Sequence, residues 1–161
     1  MFKKIFLFLL LVFIIIQFIH PKPNKASGDQ PNNIGKTFPV PDDVKSVLQK
    51  ACNDCHSNNT RYPWYSNIQP VDWWLTGHIR DGKKEMNLDE YGNRSLRHQY
   101  NKMKQTVDQV KKGEMPLNSY KWIHKDAILT EDEKSRLIGW AEGVMATMEA
   151  KYPIDSLVKK K

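Results

Sequence analysis

Five consecutive residues, Cys52-Asn53-Asp54-Cys55-His56, limit what this chain can become more than any other stretch. They contain the only two cysteines in 161 residues, separated by two positions, with a histidine directly after the second. C-x-x-C-H is the attachment signature of c-type haem. Two thiols add across the two vinyl groups of one porphyrin, and the adjacent imidazole reaches the iron from the proximal side. On a helix Cys52 and Cys55 share a face. His56 lies about 100° further round, which turns its ring under the macrocycle.

Other uses of a C-x-x-C pair fit less well. A thioredoxin-like redox pair sits near a βαβ pattern, and the sequence has none. A structural zinc site needs further ligands at close spacing, and there is no second cysteine pair. A disulfide between i and i+3 on a helix is geometrically awkward.

The N-terminus reads as a separate element. Lys3-Lys4 gives a basic start, and Ile5 to Ile19 is apolar except for Gln17. Those 15 residues match the core of a signal peptide and fall short of the roughly 20 of a spanning helix. Snorkelling of the flanking lysines extends their reach. No small-x-small cleavage site follows directly, although Ala26-Ser27-Gly28 is a candidate. The preferred reading for residues 1–20 is an uncleaved anchor, with a cleaved signal peptide as the alternative. Lys3 and Lys4 then stay cytoplasmic. The remainder lies on the periplasmic side of the bacterial inner membrane, or is soluble in the periplasm after cleavage. Haem c attachment in bacteria is completed on that side.

Charge excludes one class of partner. The net charge is +7, but between Pro39 and Ala150 there are 16 basic and 16 acidic residues. The excess is terminal, so the domain itself carries no basic footprint for nucleic acid. Lys159-Lys160-Lys161 reads as part of a solvated tail over 153–161. Residues 21–38, rich in Pro, Asn, Lys, Gly and Ser, read as a flexible linker.

The domain is expected over 39–152 and is all-α. Pro41-Asp42-Asp43 opens a first helix. Val44, Val47, Leu48, Ala51, Cys52 and Cys55 recur along it, so the motif lies at its C-terminal end. Arg61-Tyr62-Pro63-Trp64-Tyr65 forms an aromatic loop suited to walling a porphyrin, or simply to packing. A helix starts at Pro70 and is expected to stop at Asp81-Gly82, followed by a polar loop to Tyr91. A third helix is expected over 94–112 with Asn93 as its cap, His98 exposed and Met103 in the core. Gly113 stops it. Thr130 and Glu133 form a capping box for the last helix, which runs to about Ala150.

Two residues compete for the iron face opposite His56. Met115 precedes Pro116 in an extended loop, where helical core packing does not explain it. Its thioether suits haem iron and raises the potential; the alternative is a gap-filling side chain. His78, on the helix from Pro70, is the other candidate, against a packed and hydrogen-bonded histidine. His124 reads as surface.

Cys52-Asn53-Asp54-Cys55-His56-Ser57, Tyr62-Pro63-Trp64-Tyr65, Pro70-Val71-Asp72-Trp73-Trp74, Gly77-His78-Ile79 and Glu114-Met115-Pro116 together resemble the bacterial haem-binding domain family of exported proteins. The resemblance covers about residues 40 to 150. It implies a cytochrome c-like helical domain around one haem, held covalently through Cys52 and Cys55. In similar sequences a second proline often follows Met-Pro, where this chain has Leu117, and His78 also matches the family pattern. The expected function is single-electron transfer between exported redox protein partners, with membrane contact through the N-terminal segment and no catalytic residues. A haem enzyme or a gas- or peroxide-binding sensor is the alternative; His78 and Arg80 are the available distal groups. A binding module with structural haem ranks third.

Overall fold

The computed structural model describes residues 1–159. Among them there is no β-strand, only an isolated bridge between Lys25 and Asn59. Lys160 and Lys161 of the expected basic tail lie outside the described residues.

Helix α1 (Phe2–Ile16) is followed by a turn and then by α2 (Ile34–Thr37). The stretch expected as a flexible linker is packed instead. Ile34 and Phe38 are buried in the core, and the Asn24 side chain donates to the Ser57 carbonyl at 2.9 Å. The segment is tied down by hydrogen bonds near its start, at Asn24, and by two apolar residues at its end.

Helix α3 (Asp42–Ala51) has Asp42 and Asp43 in its first turn, where they complement the helix dipole. It buries Val44, Val47 and Leu48. The expected continuous helix breaks at Cys52, and α4 (Asn53–His56) forms a separate turn. The Cys52 carbonyl accepts from the N–H groups of both Cys55 and His56.

Helix α5 (Val71–Glu85) runs past Asp81-Gly82 rather than stopping there. Gly82 serves close packing. A Cβ on it would stand 2.7 Å from the Cys55 carbonyl oxygen, so α5 can press on α4 only without one. The expected polar loop is then a 3-10 turn over Leu88–Asn93, with Leu88 and Tyr91 buried.

Helix α6 (Leu96–Lys111) is capped by the Ser95 hydroxyl, two residues beyond the expected cap. It buries Tyr100, Met103, Val107 and Val110. The loop over 114–117, expected to be extended, contains no helix, and the connection after it forms α7 (Asn118–Ile123). Helix α8 (Glu131–Lys151) starts at the expected capping box, with Thr130 and Glu133 each accepting from the other's backbone N–H. Leu137, Ala141, Val144 and Met148 face inward. Helix α8 packs on both α3 and α6. Helix α9 (Ile154–Leu157) returns to α6 and buries Leu157.

No helix among the described residues is long and apolar enough to cross a membrane. At 15 residues, α1 is about 22 Å long.

Candidate functional site

The break after α3 sets the site. It leaves Cys52 at the joint and carries Cys55 and His56 round on α4, against the second half of α5. His56 is the best-defined of the three. Its Nδ1 lies 2.9 Å from the Met86 carbonyl oxygen. A carbonyl only accepts, so Nδ1 carries the proton and Nε2 keeps its lone pair. Burial lowers the proton affinity of the ring below the usual value. The imidazole is thus held neutral, in the tautomer a metal ligand needs.

Cys52 and Cys55 are free thiols. Burial, with the neighbouring Cys55 second, pushes Cys52 up to about 12. Burial, with Asp54 second, pushes Cys55 up to about 11. Both stay protonated near neutrality, unlike the low-pKa thiols of redox and nucleophilic sites. Among the described residues, no three His, Cys, Asp or Glu side chains converge as a metal-ion cluster.

Two adjoining cavities of about 220 Å³ and 400 Å³ open beside these residues. Cys52, His56, Met115 and Pro116 line both. Each is within or near the roughly 300–1,000 Å³ of small-molecule sites. Val110, Leu129 and Leu137 form the apolar side of the larger one, and Lys102, Gln105, Thr106 and Gln109 also line it.

Met115 reaches this place because the chain doubles back after α6. Gly113 adopts φ +70°, a left-handed conformation that costs glycine little. The N–H groups of Glu114 and Met115 then both donate to the Gln109 carbonyl, at 3.0 and 3.3 Å. His78 lines only the smaller cavity. Its Nδ1 is 2.9 Å from the Trp74 carbonyl, and its ring lies 4.2 Å from the Trp74 ring. Both sequence candidates for the face opposite His56 therefore meet the cavity.

The aromatic loop does not wall it. Trp64 is 76% exposed, and Arg61 donates to the buried Asp54 carboxylate instead. The ring that reaches the cavity is Tyr120, whose hydroxyl donates to Asp54 Oδ2 at 2.7 Å. Burial and this bond push the Tyr120 hydroxyl well above its usual range. His124, expected at the surface, is half-buried, stacked 4.1 Å from Tyr120, with Tyr65 Oη 3.2 Å from its Nε2. His98 is likewise half-buried.

Four further residues carried no clear sequence signal. Met86 contributes its carbonyl, which any residue type could supply. Gly82 resembled a helix stop. Tyr120 is assembled by α7, which the sequence reading did not predict. Lys102 lines the larger cavity with its side chain only 12% exposed, paired with Glu85 at 2.8 Å.

The donor set fits haem. A neutral imidazole with a free Nε2, two protonated thiols and a thioether all line the smaller cavity, with Lys102 on the adjoining larger one. A family model described as a haem-binding domain matches residues 11–143. No curated protein and no solved structure matches the chain.

Proposed function

The chain belongs to the haem-binding domain family, and on that premise we propose that it is a c-type haem protein that carries single electrons. The observation that carries this reading is the His56 ring, fixed by the Met86 carbonyl and lining one cavity with two free thiols and Met115. Cys52 and Cys55 would hold the group covalently. His56 Nε2 and Met115 Sδ would bind the iron, with His78 the alternative to Met115. When bound, haem supplies a one-electron Fe(III)/Fe(II) couple.

The rest is the work of the protein. Val110, Leu129 and Leu137 exclude water, which favours the less charged ferrous state. A thioether ligand acts in the same direction. Lys102 would pair with a propionate. The partners proposed are exported redox proteins, on the periplasmic side of the inner membrane. The N-terminal segment would hold the protein there, or be removed to release it.

The second reading, a gas- or peroxide-binding haem protein, draws on His78, a polar group lining the same cavity. Absorption spectra of the haem-matured protein decide between them. A covalent, low-spin haem with a methionine-to-iron band in the ferric form, unmoved by carbon monoxide, is the expected result. High-spin ferric haem or ready carbon monoxide binding would establish the second reading. Absence of covalent haem would overturn both.

A further inference from the structure

We propose that α1 and a polar collar at its base seat the protein on a lipid bilayer in one fixed orientation, with α1 immersed and Trp73 at headgroup level. This deepens the membrane part of the proposed function and is independent of haem.

The occupant follows from the shape of the apolar surface. No residue of α1 is buried, and from Ile5 to Ile15 the side chains are 39–65% exposed. They are apolar round the whole circumference. A protein groove or a second copy of the chain would cover one side and leave the other in water. Lipid covers all sides of a helix of this kind. Lys3 and Lys4 mark its far end and aromatic residues its near end, the arrangement of lipid-immersed helices. The N–H groups of Gln17, Phe18 and Ile19 donate three residues back, to Ile14, Ile15 and Ile16. The backbone from Gln17 to Ile19 thus turns on directly from α1. Since α1 is shorter than the roughly 30 Å hydrocarbon core, snorkelling of Lys3 and Lys4 and local thinning of the bilayer accommodate it.

The orientation follows from the collar. The Gln17 side chain accepts from the Gln69 N–H at 2.9 Å, and Gln69 Nε2 donates to the Ile19 carbonyl at 2.9 Å. Trp73 Nε1 donates to that same carbonyl at 2.9 Å. His20 Nδ1 sits 2.9 Å from Asp72 Oδ2. Gln69 is completely buried. These bonds fasten the end of the apolar helix to Gln69 and the first turn of α5. Around them Phe18, Ile19, Ile68 and Trp73 remain 38–83% exposed. A tryptophan with its N–H in a polar collar and its ring outside suits the membrane interface. Gly82, beside Cys55, then stands about 14 Å further along the α5 rod than Trp73. The helix would thus hold the haem-bearing turn at a set distance from the lipid.

The test uses the full-length, haem-matured protein with phosphatidylcholine vesicles whose acyl chains carry bromine at a shallow position. The protein is expected to float with the vesicles and its tryptophan fluorescence to be quenched. Trp73→Phe should lose most of that quenching while floating equally well, with unchanged helical circular dichroism. Flotation without quenching, or equal quenching in Trp73→Phe, would overturn the fixed orientation and leave the anchor standing. Failure to float, with self-association through α1 or removal of the segment before His20, would overturn both. None of these outcomes bears on haem attachment, which the haem spectrum reads separately.

Discussion

Met115 and Tyr120 illustrate how differently single residues enter the site. Met115 stood out in the sequence because a methionine before proline in a loop lacks a helical packing role. The structure places it on both cavities with His56. Met115→Ala is expected to abolish the methionine-to-iron band and lower the reduction potential, read by ferric spectra and redox titration. An unchanged ferric spectrum would transfer the ligand role to His78. Tyr120 acts through a neighbour. Its hydroxyl is one of three groups on the buried Asp54 carboxylate, with the Arg61 backbone N–H and guanidinium. Tyr120→Phe leaves one carboxylate lone pair unsatisfied, a cost of about 1–3 kcal/mol. Denaturant unfolding of the haem-loaded protein should show this loss with the axial-ligand bands unchanged.

At the scale of the helix, glycine identity and glycine environment give opposite expectations. Gly82 and Gly143 both lie inside helices, where alanine is intrinsically better by about 1 kcal/mol. A Cβ at Gly143 meets nothing within 4 Å, so Gly143→Ala should stabilise the protein by about 0.5–1 kcal/mol. A Cβ at Gly82 meets the Cys55 carbonyl oxygen at 2.7 Å and its Cβ at 3.1 Å. Gly82→Ala should therefore destabilise the protein and reduce the yield of covalent haem, because it drives α4 off α5. Thermal melts of the two variants carry the comparison. The start of α8 adds a pH dependence. Glu133 is held below the usual carboxylate range, first by Lys50 and then by the Thr130 N–H. Its lowered folded value means that its contribution is present above the ordinary glutamate pKa and is lost as pH falls through the folded value. Glu133→Gln should flatten the decline of stability under acid conditions, measured by melts at falling pH.

Taken whole, the protein packs α3, α6, α8 and α9 around one apolar core and sets the cavities at its edge. A core of this size is expected to depend on the group that fills the adjoining space. The Cys52→Ala/Cys55→Ala double variant should lose covalent haem and melt well below the haem-loaded protein. Retention of full stability would make haem an addition to the fold rather than part of it. The all-helical architecture was legible because it is written locally. The α6 stripe of Tyr100, Met103, Val107 and Val110, and the Thr130–Glu133 capping box, depend on residues within a few turns of one another. The pentapeptide from Cys52 to His56 and the Met115-Pro116 loop stood out for the same reason, by residue type and short spacing, and the structure brings them to one cavity. What tertiary structure alone decided depends on contacts between distant segments. These include the Met86 carbonyl that fixes the His56 tautomer, the approach of Gly82 to Cys55, the Tyr120–Asp54 bond and the Gln17–Gln69 collar. Backbone carbonyls and missing side chains carry no residue signature, and hydrogen bonds spanning 30 to 66 positions leave no period in a sequence. They form only once the helices have packed.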